Sequence, residues 1–311
     1  MGFATFHANI INDSIYLMKE SGKKIKRGLN YFGGLIALTG AILIVFKLKA
    51  YAHEIDFLKF SVADWLSLCL LAIIYGAANI LLARSWWHLL IYFKVNTLFN
   101  WAMKAYGMSQ LGKYVPGNIF HLASRQTMGM AVNIQTVPLA KSIIWELGII
   151  AFAGALFVPL IVPIFMPIIS FWISVIFFLC LVVVSGTLIC RMLSVEIASA
   201  LIGQVMFLAV SGGVFIGVLA VIDVSIVSIS NLTALCGAYV IAWLLGLITP
   251  GAPAGLGVRE IVLLFLLGSY VPNTDLLLAI VLGRIVTVIG DFLFFLFSAF
   301  CFHCNCFRQT S

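Results

Sequence analysis

"DWLSLCLLAIIYGAANILLAR", Asp64 to Arg84, carries no charge between its first and last residues. A helix rises about 1.5 Å per residue, so such a run spans about 30 Å, the thickness of a bilayer's hydrocarbon core. Similar runs recur along the 311 residues. Arg27 to Lys47 encloses one, and Glu146 to Arg191 encloses enough for two, with Pro159, Pro163 and Pro167 marking the turn. Glu196 to Asp223, Asp223 to Arg259 and the segment after Asp275 supply the rest. Hydrophobic residues make up 63% of the chain and charged residues 9%, against roughly 25% charged in soluble domains. The chain reads as an all-α polytopic membrane protein.

The runs predict spans at about 30–47, 62–83, 138–158, 168–190, 198–222, 226–249, 259–272 and 277–300. That is about eight transmembrane helices, with both termini on the same side. The first run is too long for a signal peptide, and Lys47 and Lys49 separate it from the "AYA" at 50–52. Residues 1–28 form a basic lead-in with Ile10, Ile11, Ile15 and Met18 as its apolar side. Residues 29–302 form the transmembrane domain and 303–311 a short tail.

The net charge of +7 reflects orientation and gives no sign of nucleic acid as a partner. Lys19, Lys23, Lys24, Lys26 and Arg27 precede the first span and place the N-terminus in the cytoplasm. Arg84, Lys94, Arg191 and Arg308 then fall on the same side of a cell (inner, cytoplasmic) membrane. Trp86 and Trp87 are expected at that interface as belt aromatics, and Tyr114 likewise. Cys69, Cys180, Cys190 and Cys236 lie in apolar runs and read as small core residues. Gly213 and Gly217 form a GxxxG pair that predicts close helix packing. The "CFHCNC" near the C-terminus matches no standard metal spacing, so neither a metal nor another cofactor is expected.

Polarity concentrates in two places. "GKYVPGNIFHLASRQ" runs from Gly112 to Gln126, and "ITPGAPAGLGVRE" from Ile248 to Glu260. Both place an arginine at the same distance from a Pro-Gly pair: Pro116, Gly117 and Arg125 in one, Pro250, Gly251 and Arg259 in the other. Proline removes a backbone donor and glycine admits unusual angles, so each stretch ends one helix and opens another. Broken or re-entrant segments are therefore expected near 97–135 and 248–262, as at the midplane sites of repeat-built transporters. The segment 97–135 either lies at the interface or dips into the membrane and returns. Asn118 reads as a helix cap, and Gly255 and Gly257 as positions of close backbone approach. His121 reads as an interfacial hydrogen-bonding residue rather than a catalyst.

Glu146, Arg284 and Asp291 fall inside expected spans. Each costs about 2.5–3.5 kcal/mol to insert and so should face the bundle interior with a partner. Arg284 and Asp291 are seven apart and share a helix stripe, while Arg259 and Glu260 are neighbours and need separate partners. Lys113, Arg125, Arg259 and Arg284 outnumber Glu146, Glu260 and Asp291. An excess of cations, most of them arginine forks, suits an anionic ligand such as a phosphate headgroup.

At these residues the sequence resembles the transmembrane region of the lysylphosphatidylglycerol synthase family, the flippase-like domain of the multiple peptide resistance factor. The resemblance rests on "KYVPGN" at 113–118, Glu146, "PGAPAGLGVRE" at 250–260 and Arg284, and covers roughly residues 30–300. It departs from the family at Ala254, where glycine is frequent. No aminoacyl-transferase domain follows, so lipid aminoacylation is not carried over. The resemblance implies a lipid-handling domain whose stand-alone relatives accompany glycan or lipid biosynthesis enzymes.

The leading expectation is a flippase-like protein binding an anionic phospholipid or polyprenyl-phosphate-linked lipid. Lys113, Tyr114, Asn118, His121, Arg125, Arg259 and Arg284 would bind the headgroup. Glu146, Glu260 and Asp291 would balance charge or carry protons. The alternatives are an integral-membrane transferase on a lipid-linked substrate and a non-catalytic scaffold. Against the transferase, the sequence has no DxD pair, no HExxH and no carboxylate cluster of a metal-dependent kind.

Overall fold

Ser61 opens the first helix of the computed structural model, which describes residues 60–115, 120–166, 168–222, 229–249 and 257–301. The Ser61 hydroxyl accepts from the Asp64 N–H at 3.3 Å, and Asp64 accepts in return from the Ser61 N–H at 2.8 Å. This capping box fixes the start of α1 (Val62–Tyr92). Ser61→Ala is expected to cost about 1 kcal/mol, read as a lower melting temperature in detergent.

The remaining helices are α2 (Phe99–Gln110), α3 (Phe120–Ala131), α4 (Thr136–Ala155), α5 (Val158–Phe165) and α6 (Phe171–Met192). After them come α7 (Val195–Val221), α8 (Ile229–Ile248), α9 (Val258–Leu267) and α10 (Asn273–Cys301). A 3-10 turn, Leu111–Tyr114, follows α2. No strand occurs among the described residues. Five stretches are long and apolar enough to cross a membrane: Val62–Tyr92, Thr136–Phe165, Phe171–Met192, Val195–Val221 and Asn273–Phe300. Their outer surfaces carry large apolar side chains such as Leu66, Trp172, Phe177 and Phe300. α6 is the extreme case, with only Ser174 buried along its length. Exposed apolar surface on this scale fits a membrane-embedded all-α protein.

Several expectations change. The lead-in, the span expected at 30–47 and the tail lie outside the described residues. The span expected at 259–272 is the ten-residue helix α9, about 15 Å long and half the hydrocarbon thickness. The turn expected at Pro159, Pro163 and Pro167 begins only after Phe165. Pro159 stands in the first turn of α5, where a missing N–H is harmless, and Pro163 is absorbed inside the helix. Cys69, Cys180 and Cys190 face outward rather than into the core. Of the GxxxG pair, Gly217 packs on Leu71, whereas Gly213 has open space beside it.

α1 is central, packing against α7, α10, α2 and α4. It crosses α10 at two glycines. A Cβ on Gly290 would stand 2.7 Å from the Ala72 carbonyl oxygen, and one on Gly76 would stand 2.9 Å from the Gly290 carbonyl oxygen. Only glycine lets the two backbones meet there.

The break expected within 97–135 takes the form of two twelve-residue helices, α2 and α3, on either side of the 3-10 turn. α2 packs against α1 and α10 and buries eight of its residues, Trp101, Met103 and Tyr106 among them. α3 lies close against the 3-10 turn. A Cβ on Gly112 would sit 2.8 Å from the His121 backbone nitrogen.

Candidate functional site

α10 supplies two charges to the bundle interior, Arg284 and Asp291, two helical turns apart. Asp291 has no exposed surface. Lys113 of the 3-10 turn forms an ion pair with its Oδ2, and the Tyr114 hydroxyl donates to the same oxygen in a short hydrogen bond. Gln110 Nε2 donates to Oδ1 at 3.1 Å and Asn79 Nδ2 at 3.3 Å. Gln110 also donates to Asn79 Oδ1 at 2.8 Å, and Asn79 donates to the Tyr75 carbonyl at 3.1 Å. The network joins α1, the end of α2, the 3-10 turn and α10 around one carboxylate.

A second pair ties α3 to α4. Arg125 Nη1 lies 2.6 Å from Glu146 Oε2, and the Tyr106 hydroxyl donates to Glu146 Oε1 at 2.9 Å. Arg125 is 2% exposed and Glu146 4%, so this charge pair is removed from solvent. The guanidinium lies 4.4 Å from the Tyr106 ring centroid and 5.1 Å from that of Trp86. Trp86 Nε1 is itself held by Ser142 Oγ at 3.1 Å. Arg125 Nε has no hydrogen-bond partner.

The third pair joins α9 to α10. Arg284 donates to Glu260 Oε1 through Nη2 at 2.8 Å and Nε at 3.2 Å. Arg259, one residue earlier, turns the other way and stands over Tyr239 and Trp243 of α8, 5.5 and 5.8 Å from their ring centroids. The neighbours thus take separate partners, as their spacing requires. No carboxylate among the described residues pairs with Arg259, and its Nη2 has no hydrogen-bond partner.

One cavity of about 120 Å³ gathers Lys113, Tyr114, His121, Arg125, Glu146, Arg259, Arg284 and Asp291 on its wall. That is room for several waters. Glu260 stands behind Arg284 rather than on the wall. Gly257 precedes α9 with φ +84°, a left-handed backbone suited to glycine. Pro116, Gly117, Asn118, Pro250, Gly251 and Gly255 lie outside the described residues.

Three side chains depart from their interfacial readings. Tyr114 is a buried donor to Asp291 rather than a belt aromatic. Trp86 is fully buried under Arg125, and only Trp87 keeps a partly exposed position, donating from Nε1 to the Thr97 carbonyl at 3.1 Å. His121 is half-buried on the cavity wall with no partner for Nδ1. Burial, then Arg125 and Lys113, push its pKa down to about 3, so it contributes no charge at neutral pH.

Asn79, Gln110, Tyr106 and Trp243 belong to the site although none is ionised. Asn79 was visible as a lone amide inside the charge-free run Asp64 to Arg84. An amide in hydrocarbon needs a partner as a carboxylate does. Gln110 sits just before "GKY". The two aromatic faces gave no signal beyond composition.

Fold and site together define a membrane-type helical bundle enclosing a charged, aromatic-walled cavity. Comparison of the chain with protein-family models, curated proteins and solved structures gives no match.

Proposed function

We propose that this chain is a flippase-like membrane protein of the kind its motifs resemble, binding and translocating a lipid with an anionic phosphate headgroup. A phospholipid and a polyprenyl-phosphate-linked lipid both carry that chemistry. The observation that carries the reading is the single cavity whose wall draws cations from the 3-10 turn and from α3, α9 and α10. Arginine forks match phosphate oxygens, and ionisable groups inside a membrane bundle ordinarily mark a substrate path. The short helices beside the cavity are the kind of broken element that transporters use to line a site. In this reading the protein lies in the cell membrane with several crossings and cytoplasmic termini. It works beside enzymes of envelope lipid or glycan synthesis.

The test is scramblase-type. Purified protein in liposomes containing fluorescently labelled phosphatidylglycerol should raise the fraction of label that dithionite quenches. A quenched fraction equal to that of empty liposomes, for this lipid and for a labelled polyprenyl phosphate, rejects the reading.

Within it, Arg259→Lys should impair transport with melting unchanged, because lysine keeps the charge and loses the planar fork. Glu260→Gln should instead lower the melting temperature, because it weakens the partner of Arg284. Near-normal transport in Arg259→Lys would end the assignment of that arginine to the headgroup.

A further inference from the structure

α4 faces two hollows. Glu146, Leu147 and Ile150 border the charged cavity, and Ile144, Gly148 and Phe152 border a groove of about 410 Å³. At about 3.6 residues per turn the two sets lie on opposite sides of the helix. Ile189 and Leu193 of α6 form the groove's other side, and the buried Ile197 and Leu201 of α7 form its floor. No charged side chain lines it. A Cβ on Gly148 would meet nothing within 4 Å, so another backbone can lie directly against α4 there.

The chain itself carries a segment of matching chemistry. Residues 28–46, outside the described residues, are a charge-free run of nineteen, about 28 Å long as a helix. Gly33, Ala37 and Ala41 recur every fourth residue in it, which puts three small side chains on one helix face.

We propose that this groove is the seat of the chain's own residues 28–46, packed as a helix through the face of Gly33, Ala37 and Ala41. The inference is independent of what the charged cavity binds.

Three matches support it. The first is shape. In a membrane, apolar surface alone does not hold two helices together, and small residues do so by letting backbones approach closely. The run offers such a face, and Gly148 offers the complementary opening. The second is depth. Ile144 and Phe152 come three and eleven residues after Lys141, and Leu193 two residues after Arg191. The groove thus occupies the half of the bundle next to these basic residues, from about 4 to about 16 Å along α4. Gly33 and Gly40 come six and thirteen residues after Arg27, about 9 to 20 Å along the run. With all three basic residues on one side of the membrane, the small face and the groove overlap in depth. The third is reach. Thirteen residues, 47–59, separate the run from Phe60 and span up to about 43 Å when extended. α1, which they lead into, packs against both α4 and α7, so the groove is one helix away.

The experiment is disulfide trapping in liposomes on the full chain, with the seven native cysteines replaced by alanine and a protease site placed within 48–59. After oxidation and cleavage, Ala37→Cys with Gly148→Cys should leave the two fragments joined. The joined fraction should be about tenfold that of Ala37→Cys with Ile73→Cys, a pair that reports on the exposed stripe of α1. Gly33→Cys and Ala41→Cys test the neighbouring turns. If Gly148→Cys does not fold, Ile144→Cys, whose native side chain is exposed, takes its place. Gly148→Trp should cut joining between Ala37→Cys and Ile144→Cys about tenfold, because the indole fills the seat. Gly148→Ala should leave it unchanged, since the small face has room for one methyl.

Preferential joining to Ile73→Cys would place the run on α1 and overturn the proposal. Disulfides formed between two chains rather than within one would give the groove to a second copy, and overturn it as well. Failure of all three run positions to join either groove position would leave the groove to lipid chains, with the same consequence.

Discussion

Asp291→Ala is expected to be the most destabilising single truncation in the cavity, at about 3–5 kcal/mol, because it leaves the partly buried Lys113 ammonium beside no carboxylate. The loss extends beyond the ion pair. Tyr114, Gln110 and Asn79 also donate to Asp291, and each would need another acceptor where little water reaches. The measurement is the melting temperature in detergent. The informative comparison is the pair Lys113→Met with Asp291→Ala. Removing both charges should recover part of the loss, since a buried pair replaced by apolar groups is often close to neutral. A double variant as unstable as the sum of the single ones would mean that the two residues act independently. An Asp291→Ala melting temperature equal to wild type would refute the network's structural role.

Gly290→Ala is expected to be damaging too, although it adds one methyl group and removes nothing. Its Cβ would meet backbone on two sides, the Ala72 carbonyl oxygen at 2.7 Å and the Gly76 nitrogen at 3.0 Å. Backbone cannot rotate away as a side chain can, so α1 and α10 must separate. Overpacking of this kind costs about 1–3 kcal/mol. The matched controls are Gly148→Ala and Gly186→Ala, where a Cβ meets nothing within 4 Å. They should melt as wild type does. Because Asp291 follows Gly290, the alanine variant should also pull Asp291 from Asn79. Equal melting of Gly290→Ala and the controls would show that the crossing relaxes without cost.

Which charges come together inside the bundle was legible in the sequence, because an ionisable residue in an apolar run stands out and its insertion cost is general. Seven of them and Tyr114 do converge on the cavity or on a residue of its wall. Who pairs with whom was not legible. Asn79 and Asp291 are 212 residues apart, and helix periodicity fixes only the face on which a side chain lies. The same blindness placed Trp86 at the interface. A tryptophan beside an arginine near the end of an apolar run looks like a belt, and only tertiary packing set α3 above it. The helix expected at 259–272 came out shorter for a simpler reason. Hydropathy averaged over 259–272 does not register that the helix stops at Leu267 before Gly268. The extra cation, by contrast, followed from counting alone, and the structure adds which arginine it is.

The glycine crossing also has a mechanical meaning. Where two helices touch backbone to backbone at one point, that point is a fulcrum, and a change of crossing angle moves each residue in proportion to its distance from it. Asp291 adjoins the fulcrum at Gly290 and would scarcely move. Arg284 lies six residues away, about 9 Å along the axis, so a 10° tilt of α10 would carry it about 1.5 Å. Such a tilt would load the Arg284–Glu260 pair and leave the Asp291 cluster at rest. α10 is thus a lever with one anchored end, and its free end is the one that grips α9.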